Sequence, residues 1–324
     1  MIKAVIQDIG YYLPPKVETN EYLVDEMGLS WTADDIFKKT GIKQRHVVED
    51  ECASDLGVSA AEELFNRNKG LREQIDYLIF CSQSSDYVLP ATACVLQKTL
   101  GLSKYCAAID INQGCSGFIY GLSLAKGLIE SCVATNVLLI TAETYTKYIQ
   151  KMDKSTRTIF GDGATATWIS SCNSEDEYIG SFVLGTDGRG AENLIVHNRG
   201  ARIDREVEDN HLFMDGPEIF QFTLITIPKL VKNILAKGNM TIDDIDYFVF
   251  HQANAFILKH LCTKLKVPKE KFCLDLENTG NIVSASIPLA LQRAIERNEV
   301  KRGMKIMLVG FGVGYSWGGC IVKL

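Results

Sequence analysis

The chain has 324 residues, 46% of them hydrophobic and 23% charged, a composition typical of a soluble globular protein with one large core or two repeated cores. Its net charge of −6 argues against general nucleic-acid binding, and we expect no membrane span because no apolar run approaches the roughly 20 residues that cross a bilayer. The ten cysteines are scattered without a CxxC pair or metal-ligand spacing, which indicates a reducing cytoplasm and no metal site.

The first predicted elements are strands. The segment MIKAVIQDIG, at 1–10, alternates as a strand does and lacks the basic and apolar pattern of a leader peptide. A second apolar strand, IDYLIFCSQ, follows at 75–83. We therefore expect the chain to open on a strand rather than on a leader peptide.

One cysteine stands at a predicted strand-to-helix corner. The apolar segment 106–111 predicts a buried strand, and apolar residues recur with a helical period over 118–129. Gly114 and Gly117 flank Cys115, so the backbone can turn sharply there. A thiol in the first turn of a helix faces unpaired N–H groups and the positive end of the helix dipole, and both favour the thiolate. Cys115 is therefore a candidate nucleophile, whereas the other nine cysteines fit the alternative role of buried structural residues.

Complementary groups follow in the second half. The apolar strand 245–250 ends at His251, although a histidine after a strand is more often a packing residue than a catalyst. Asn281 stands at another predicted strand-to-helix corner. Gly312 and Gly314 free a loop whose amide groups can point at a negative oxygen, a pattern that many hairpins share. A nucleophile, a histidine, an amide and a loop of N–H donors, each at the end of a predicted strand, together indicate a catalytic site.

An internal repeat relates the two halves of the chain. The matching segments, in the same order in each half, are 75–83 and 245–253, 108–125 and 273–294, 136–143 and 305–312, and 160–169 and 311–321. This alignment sets Cys115 opposite Asn281 when one extra residue is allowed in the second copy. We predict two similar α/β halves, 1–172 and 173–324, packed about a pseudo-twofold axis that brings Cys115, His251 and Asn281 together.

Several longer motifs occur along nearly the whole chain. They are TGIKQRH (40–46), the cysteine block (111–130), FGDGATA (160–166), HLFMDGPEIFQF (211–222), HQAN (251–254), NTGNIVSASIP (278–288) and GFGVGYSWGG (310–319). In this order they resemble the β-ketoacyl-acyl carrier protein synthase III group of the thiolase superfamily. The resemblance implies a five-layered αβαβα thiolase-like fold and a homodimer. It also implies Cys115 as acyl acceptor, His251 and Asn281 as its partners, and the backbone N–H groups of Cys115 and Val313 as oxyanion donors.

The reaction that this resemblance implies begins with an acyl-CoA primer loaded on Cys115. Decarboxylative Claisen condensation with malonyl-acyl carrier protein then gives a β-ketoacyl product and starts fatty-acid synthesis. Coenzyme A and the phosphopantetheine arm are substrates here, so no cofactor is expected. A thiolase would carry a second catalytic cysteine in the C-terminal Gly-rich loop, and GFGVG at 310–314 has none.

Two other functions remain open on the sequence. The same site can serve acyl transfer onto a hydroxyl or amine, or condensation in a surface-polysaccharide, quinolone or polyketide pathway. A non-catalytic subunit that binds acyl thioesters is the second alternative. The presence of Cys115, His251 and Asn281 argues against it, since a degenerate relative would be expected to lose at least one of them.

The resemblance also implies residues that bind the substrate. Those matching coenzyme A or pantetheine contacts are Lys39, Lys154, Arg157, Phe220 and Asn254. The alternative for the basic residues is that they are solvated surface charges. The site is expected to contact no nucleic acid and no membrane.

Three positions depart from the family pattern. Asp35 stands where a tryptophan commonly stacks on adenine, with Trp31 nearby. Phe256 replaces a basic residue that docks the carrier protein, although lysines follow it at positions 259, 264 and 266. Leu89 aligns with the residue that the partner protomer inserts into the acyl pocket, often a bulky phenylalanine. A leucine there leaves room for a branched or somewhat longer acyl group, unless neighbouring side chains refill the space.

Overall fold

The computed structural model describes residues 1–204, 207 and 209–324. Its strands are β1 (Ile2–Tyr12), β2 (Val17–Thr19), β3 (Gln44–His46), β4 (Tyr77–Cys81), β5 (Ala107–Ile111), β6 (Asn136–Glu143), β7 (Gly163–Asn173), β8 (Ile179–Thr186), β9 (Leu194–Val196), β10 (Leu212–Met214), β11 (Tyr247–Phe250), β12 (Lys305–Gly312) and β13 (Ser316–Lys323). Its helices are α1 (Asn20–Met27), α2 (Ala33–Thr40), α3 (Ala53–Arg67), α4 (Thr92–Thr99), α5 (Gly117–Glu130), α6 (Lys154–Arg157), α7 (Gly216–Lys237), α8 (Ala255–Leu265) and α9 (Ser286–Glu296).

Two sheets repeat one topology. The first has the strand order β1-β7-β6-β4-β5, and the second has the order β8-β13-β12-β11. Equivalent pairs run in equivalent directions: β4–β6 and β11–β12 are parallel, whereas β6–β7 and β12–β13 are antiparallel. A single parallel bridge from Phe248 to Phe272 stands where β5 pairs with β4 in the first sheet. The repeat that the sequence predicts is therefore present in the fold.

Helices complete five layers around the sheets. Helices α5 and α9 lie between the two sheets, α3 and α4 cover the outside of the first, and α7 and α8 cover the outside of the second. The approach of α5 to β6 requires glycine, because a Cβ on Gly121 would lie 2.6 Å from the Leu139 side chain. The thiolase-like αβαβα architecture is confirmed. The division at 172 and 173 stays a prediction, and it falls at the end of β7.

Helix α7 corrects one sequence expectation. By length and composition it is apolar enough to cross a membrane, so the expectation that no run approaches that length was wrong. In the fold, one side of α7 packs Phe222, Ile227 and Leu230 into the core of the second sheet, while Lys229 and Lys232 lie on its outer side. This amphipathic arrangement is that of a surface helix on a globular core.

The exposure of strand β5 differs from the sequence expectation of a buried strand. The predicted strand at 106–111 forms, but Ala107 and Asp110 are exposed, and Ile109 and Ile111 are only partly buried. The reason is topological, because β5 is the outer strand of the first sheet and has one neighbour. An apolar edge strand with unpaired backbone groups can accept another strand.

Candidate active site

Cys115 lies in the connection between β5 and α5, with 5% of its surface exposed. Helix α5 begins at Gly117, so the thiol stands just before the helix and not inside its first turn. The C-terminal Gly-rich loop packs directly on it: a Cβ at Gly312 would lie 2.8 Å from Sγ. Only a residue without a side chain fits there, which explains this glycine.

The thiol is protonated at neutral pH. Burial, followed by the charge of Glu143, raises the pKa of Cys115 to about 12. The backbone N–H groups of Val313 and of Cys115 itself hydrogen-bond to the sulfur and act in the opposite direction. The N–H groups favour the thiolate, as the sequence predicts, but desolvation outweighs them and leaves the pKa above the ordinary value of a thiol. The two N–H groups predicted as oxyanion donors nevertheless both reach the sulfur.

His251 follows β11 and is buried and uncharged. Its backbone N–H donates to the carbonyl of Val309 on β12 at 2.8 Å, and burial lowers the pKa of the imidazole to about 3. Nδ1 lies 2.7 Å from Ser286 Oγ, and the Ser286 hydroxyl donates to the carbonyl of Val283 at 2.8 Å. Both bonds form together only if Nδ1 carries the imidazole hydrogen. In that tautomer Nε2 is free to accept a proton.

Asn281 is fixed by both its backbone and its side chain. Its N–H donates to the carbonyl of Ile159 at 2.9 Å, and its own carbonyl accepts from Gly161 N–H at 3.0 Å. The side-chain Oδ1 accepts from Val283 N–H at 2.9 Å. Because Oδ1 is occupied in this way, the Nδ2 hydrogens remain available as donors.

Cys115 belongs to an apolar cluster that borders a cavity. The cluster comprises Cys115, Tyr145, Ile149, Phe160, Leu194, Leu212 and Val283. A cavity of about 430 Å³ is lined by several of these residues and by Gln83, Val313 and Arg199. The Tyr145 hydroxyl donates to Gln83 Oε1 at 3.3 Å. Space for a small acyl group therefore adjoins the cluster to which Cys115 belongs.

Trp31 lies between two of the predicted basic residues. The ammonium groups of Lys39 and Lys154 lie 3.5 and 4.7 Å from the centre of the Trp31 ring. Asp35 serves the helix itself, because its carboxylate accepts from Thr32 N–H at 2.9 Å in the capping box that begins α2. Trp31 does not occupy the sequence position of the family's tryptophan, but its ring lies beside Lys39 and Lys154 in the fold.

The other three residues predicted to contact the substrate lie in different surroundings. Arg157 pairs with Glu18 at 3.1 Å, both nearly buried, and lines a different cavity from the one beside Cys115. Phe220 packs on Phe256, with ring centres 5.4 Å apart. Asn254 accepts a 2.8 Å bond through its side chain at the start of α8. The structure thus groups Lys39 with Lys154 and leaves Arg157 engaged elsewhere.

Glu143 is a residue of the site that the sequence motifs do not indicate. This carboxyl ends β6, is fully buried and accepts hydrogen bonds from Ser84 and Ser284, at 3.0 and 2.7 Å. Burial raises its pKa to about 7. The available signal was an acidic residue that ends the apolar strand NVLLITAE, since the parallel strands β4 and β6 present their carboxyl ends at one edge.

We expect alkylation of Cys115 by iodoacetamide to accelerate with pH without a plateau near neutrality. Only the thiolate reacts, and with a pKa of about 12 its fraction grows tenfold per unit from about pH 7 to about pH 10. Intact-protein mass with peptide mapping measures this, and the exposed Cys132 serves as the internal control. A rate that levels off below about pH 8 would instead indicate a cysteine–histidine ion pair.

Comparison with known proteins gives consistent matches. The family model of 3-oxoacyl-[acyl-carrier-protein] synthase III matches residues 109–188, and the model of its C-terminal part matches residues 235–324. The β-ketoacyl-[acyl-carrier-protein] synthase III of Clostridium perfringens (strain ATCC 13124) is 38% identical over 330 residues, covering 100% of both chains. That of Campylobacter curvus is 39% identical over 333 residues, covering 100% of this chain and 97% of the relative.

Solved structures agree. A crystal structure of a 3-oxoacyl-(acyl-carrier-protein) synthase III superposes with a TM-score of 0.97 at 45% identity, over 99% of this chain and 100% of the other. The 3-oxoacyl-(acyl-carrier protein) synthase of Burkholderia xenovorans gives 0.94 at 37% identity, over 100% and 95%. Both similarities extend over the whole fold.

Proposed function

Because the chain belongs to the 3-oxoacyl-[acyl-carrier-protein] synthase III family and is a condensing acyltransferase, we propose that it joins an acyl-CoA primer to malonyl-acyl carrier protein and so initiates fatty-acid synthesis. One observation carries the proposal. Cys115 Sγ meets two backbone N–H donors, and the duplicated halves supply a neutral imidazole and a free amide. The substrates provide the thioester chemistry, and the proposal requires no cofactor.

Loading of the acyl group begins with an uncharged Cys115 thiol and an uncharged His251 imidazole. As Cys115 Sγ attacks the thioester carbonyl, its proton passes to Nε2 of His251, and the carbonyl π electrons move to oxygen. The resulting oxyanion accepts from the N–H groups of Cys115 and Val313. Collapse breaks the C–S bond, and the coenzyme A thiolate leaves with the proton from His251. The acyl group remains on Cys115.

Condensation uses the other donors. Loss of carbon dioxide from the malonyl group breaks a C–C bond and leaves the electron pair in an enolate, whose oxygen accepts from Asn281 Nδ2. His251 adds a second donor from Nε2 after its imidazole has released the Nδ1 proton to solvent and taken one from solvent at Nε2, with the Ser286 hydroxyl turning to donate to Nδ1. Uncharged donors stabilise the enolate without trapping the malonyl carboxylate as an ion pair. The enolate carbon then attacks the acyl-Cys115 carbonyl, forms the new C–C bond and releases the cysteine thiolate.

We assign the entrance for coenzyme A to the face that carries Trp31. Its aromatic ring offers a stacking surface, and Lys39 and Lys154 bring two positive charges beside it. The phosphates of coenzyme A need such charges. On α8, exposed Lys259 offers a positive charge for docking of an acidic carrier protein, one turn after Phe256, which replaces the basic residue of the family.

We propose a homodimer in the cytoplasm. The open edge of β5 supports it, as do the exposed apolar side chains of Tyr87, Val88 and Leu89 in the loop after β4. Leu89 is 80% exposed in a single chain. A second copy that covers this edge would bury these groups and bring its Leu89 to the acyl cavity. The ten unpaired cysteines fit a reducing compartment.

Leu89→Phe is expected to narrow the acyl pocket across the dimer. One contact in an apolar pocket is worth about 1–3 kcal/mol, or roughly 10- to 200-fold in discrimination. The variant should keep acetyl loading and lose branched or longer acyl groups by a factor in that range. Loading profiles over a series of acyl-CoA thioesters measure the effect, with molecular mass in solution beside them. An unchanged profile, or an active monomer, would remove the case for control by the partner chain.

The function as a whole is tested with the same acyl-CoA series. Mass spectrometry of the intact protein should show one acyl group added per chain, and malonyl-acyl carrier protein should then discharge it as a β-ketoacyl product. Acylation without discharge by malonyl-acyl carrier protein would favour transfer to a hydroxyl or amine. Absence of acylation by any thioester would favour a non-catalytic subunit.

A further inference from the structure

The segment 281–286 makes a strained turn. Val283 has a φ of +52°, in the left-handed region that β-branched residues rarely adopt. Residues 283–285 form a single 3₁₀ turn before α9. Such a conformation is strained and persists only where surrounding contacts hold it.

This turn presents Asn281. The N–H of strained Val283 is the donor that fixes Asn281 Oδ1, at 2.9 Å, and so aims the Nδ2 hydrogens. His251 also contacts the turn, through Nδ1 and Ser286 Oγ at 2.7 Å. It depends on the turn less than Asn281 does, because its backbone is held by the end of β11 and by the bond to Val309. A change in the turn would therefore move the enolate donor before it moves the imidazole.

Glu143 holds the turn from the other half of the molecule. Ser284, the residue after Val283, donates through its hydroxyl to Glu143 Oε1 at 2.7 Å, and both residues are fully buried. On the opposite side the carboxylate accepts from Gln83 N–H at 3.1 Å and from the hydroxyl of Ser84 at 3.0 Å. Ser82, at 3.5 Å, completes the set. The carboxylate thus joins the end of β6 and the loop after β4 to the turn.

An acceptor without hydrogens suits this position. Three hydroxyls and one backbone N–H converge on the two oxygens of Glu143. An ionised carboxylate can accept from all of them, whereas a glutamine amide replaces one acceptor by a donor. The negative charge of Glu143 also disfavours the thiolate of the nearby Cys115, because it raises the pKa of that thiol.

We propose that Glu143, acting through Ser284, is a positioning residue for condensation that clamps the strained turn so that Asn281 faces the enolate. This inference rests on the proposed function and gives a role to a side chain that the reaction steps do not use. Neither Glu143 nor Ser284 contacts the reacting atoms in it. Loading of Cys115 does not require Asn281, and the His251 that it does require is also held by the end of β11, so the clamp affects loading less than condensation.

The two half-reactions are measured separately in Ser284→Ala and Glu143→Gln. We expect acyl loading within about twofold of wild type in Ser284→Ala, whereas kcat for condensation with malonyl-acyl carrier protein falls about tenfold at unchanged KM, the scale for one hydrogen bond to a charged group. Glu143→Gln should show the same loss. In addition, its Cys115 alkylation profile should move to lower pH because the neighbouring charge is gone.

Thr141→Val is the matched control. It deletes a buried hydroxyl on the same strand, bonded to Thr165 Oγ1 at 2.7 Å, and leaves the turn untouched, so the ratio of condensation to loading should stay at the wild-type value. Thermal unfolding identifies variants that lose the fold, and Ser284→Ala decides the question if Glu143→Gln does not fold.

Loading and condensation falling together in a folded Ser284→Ala, or neither falling, would overturn the clamp. A wild-type protein that does not condense at all would overturn the proposed function instead.

Discussion

Cys115→Ala is expected to abolish the acyl mass shift with every acyl-CoA. The Cys115 sulfur accepts from both oxyanion-type N–H donors, so its removal takes away the acyl acceptor that these donors serve. Removal of a covalent nucleophile elsewhere costs on the order of 10⁶-fold in turnover. The measurement is intact-protein mass after incubation with acyl-CoA, followed by peptide mapping of the acylated residue.

Two other cysteines provide the controls. Cys132 is exposed and Cys262 is buried in the core of the second sheet, so their alanine variants test both reactive surface thiols and structural ones. Both variants should retain the mass shift. Acylation that persists in Cys115→Ala would show that the nucleophile is wrongly assigned.

Asn281→Ala is expected to load the acyl group and fail to condense. The substitution removes the amide that donates to the enolate and leaves the Cys115 thiol and its two N–H donors unchanged. Loss of one preorganised donor typically costs about 10²–10³-fold in kcat. Burst acylation measured by mass, and carbon dioxide release from malonyl-acyl carrier protein, separate the two steps.

His251→Ala provides the contrast to that variant. Since Nε2 both accepts the thiol proton and donates to the enolate in the proposed steps, this variant should impair loading and decarboxylation together. If Asn281→Ala lost both steps equally, the division of roles between His251 and Asn281 would be wrong.

Much of the fold can be predicted from the sequence because the two halves of the chain share recognisable sequence similarity. The match of 75–83 with 245–253, and of 136–143 with 305–312, predicts which strands are equivalent, and β4, β11, β6 and β12 form in those places. The similarity of these segments in sequence is therefore sufficient to predict two related sheets. The placement of Cys115 and Asn281 at equivalent corners follows from the same alignment.

The electrostatics of the site could not be predicted in this way. The state of the Cys115 thiol depends on how deeply it is buried and on Glu143, which lies 28 residues away in sequence. A helix start suggests a thiolate only when water is present to share the charge. Likewise, the contact of Lys154 with the Trp31 ring joins residues from separate parts of the chain, and no local pattern encodes it.

The hydroxyl contact between Ser116 and Ser316 spans 200 residues of sequence at 2.7 Å. It has a counterpart in the bond from Ser284 to Glu143, across 141 residues. Contacts of such long range form late when a chain of this size folds, because loop closure must be completed before they contribute any stability. During synthesis Cys115 emerges before His251, Asn281 and Val313, because these three residues lie in the second half of the chain. We therefore expect a chain that is not yet complete to be unable to consume acyl thioesters.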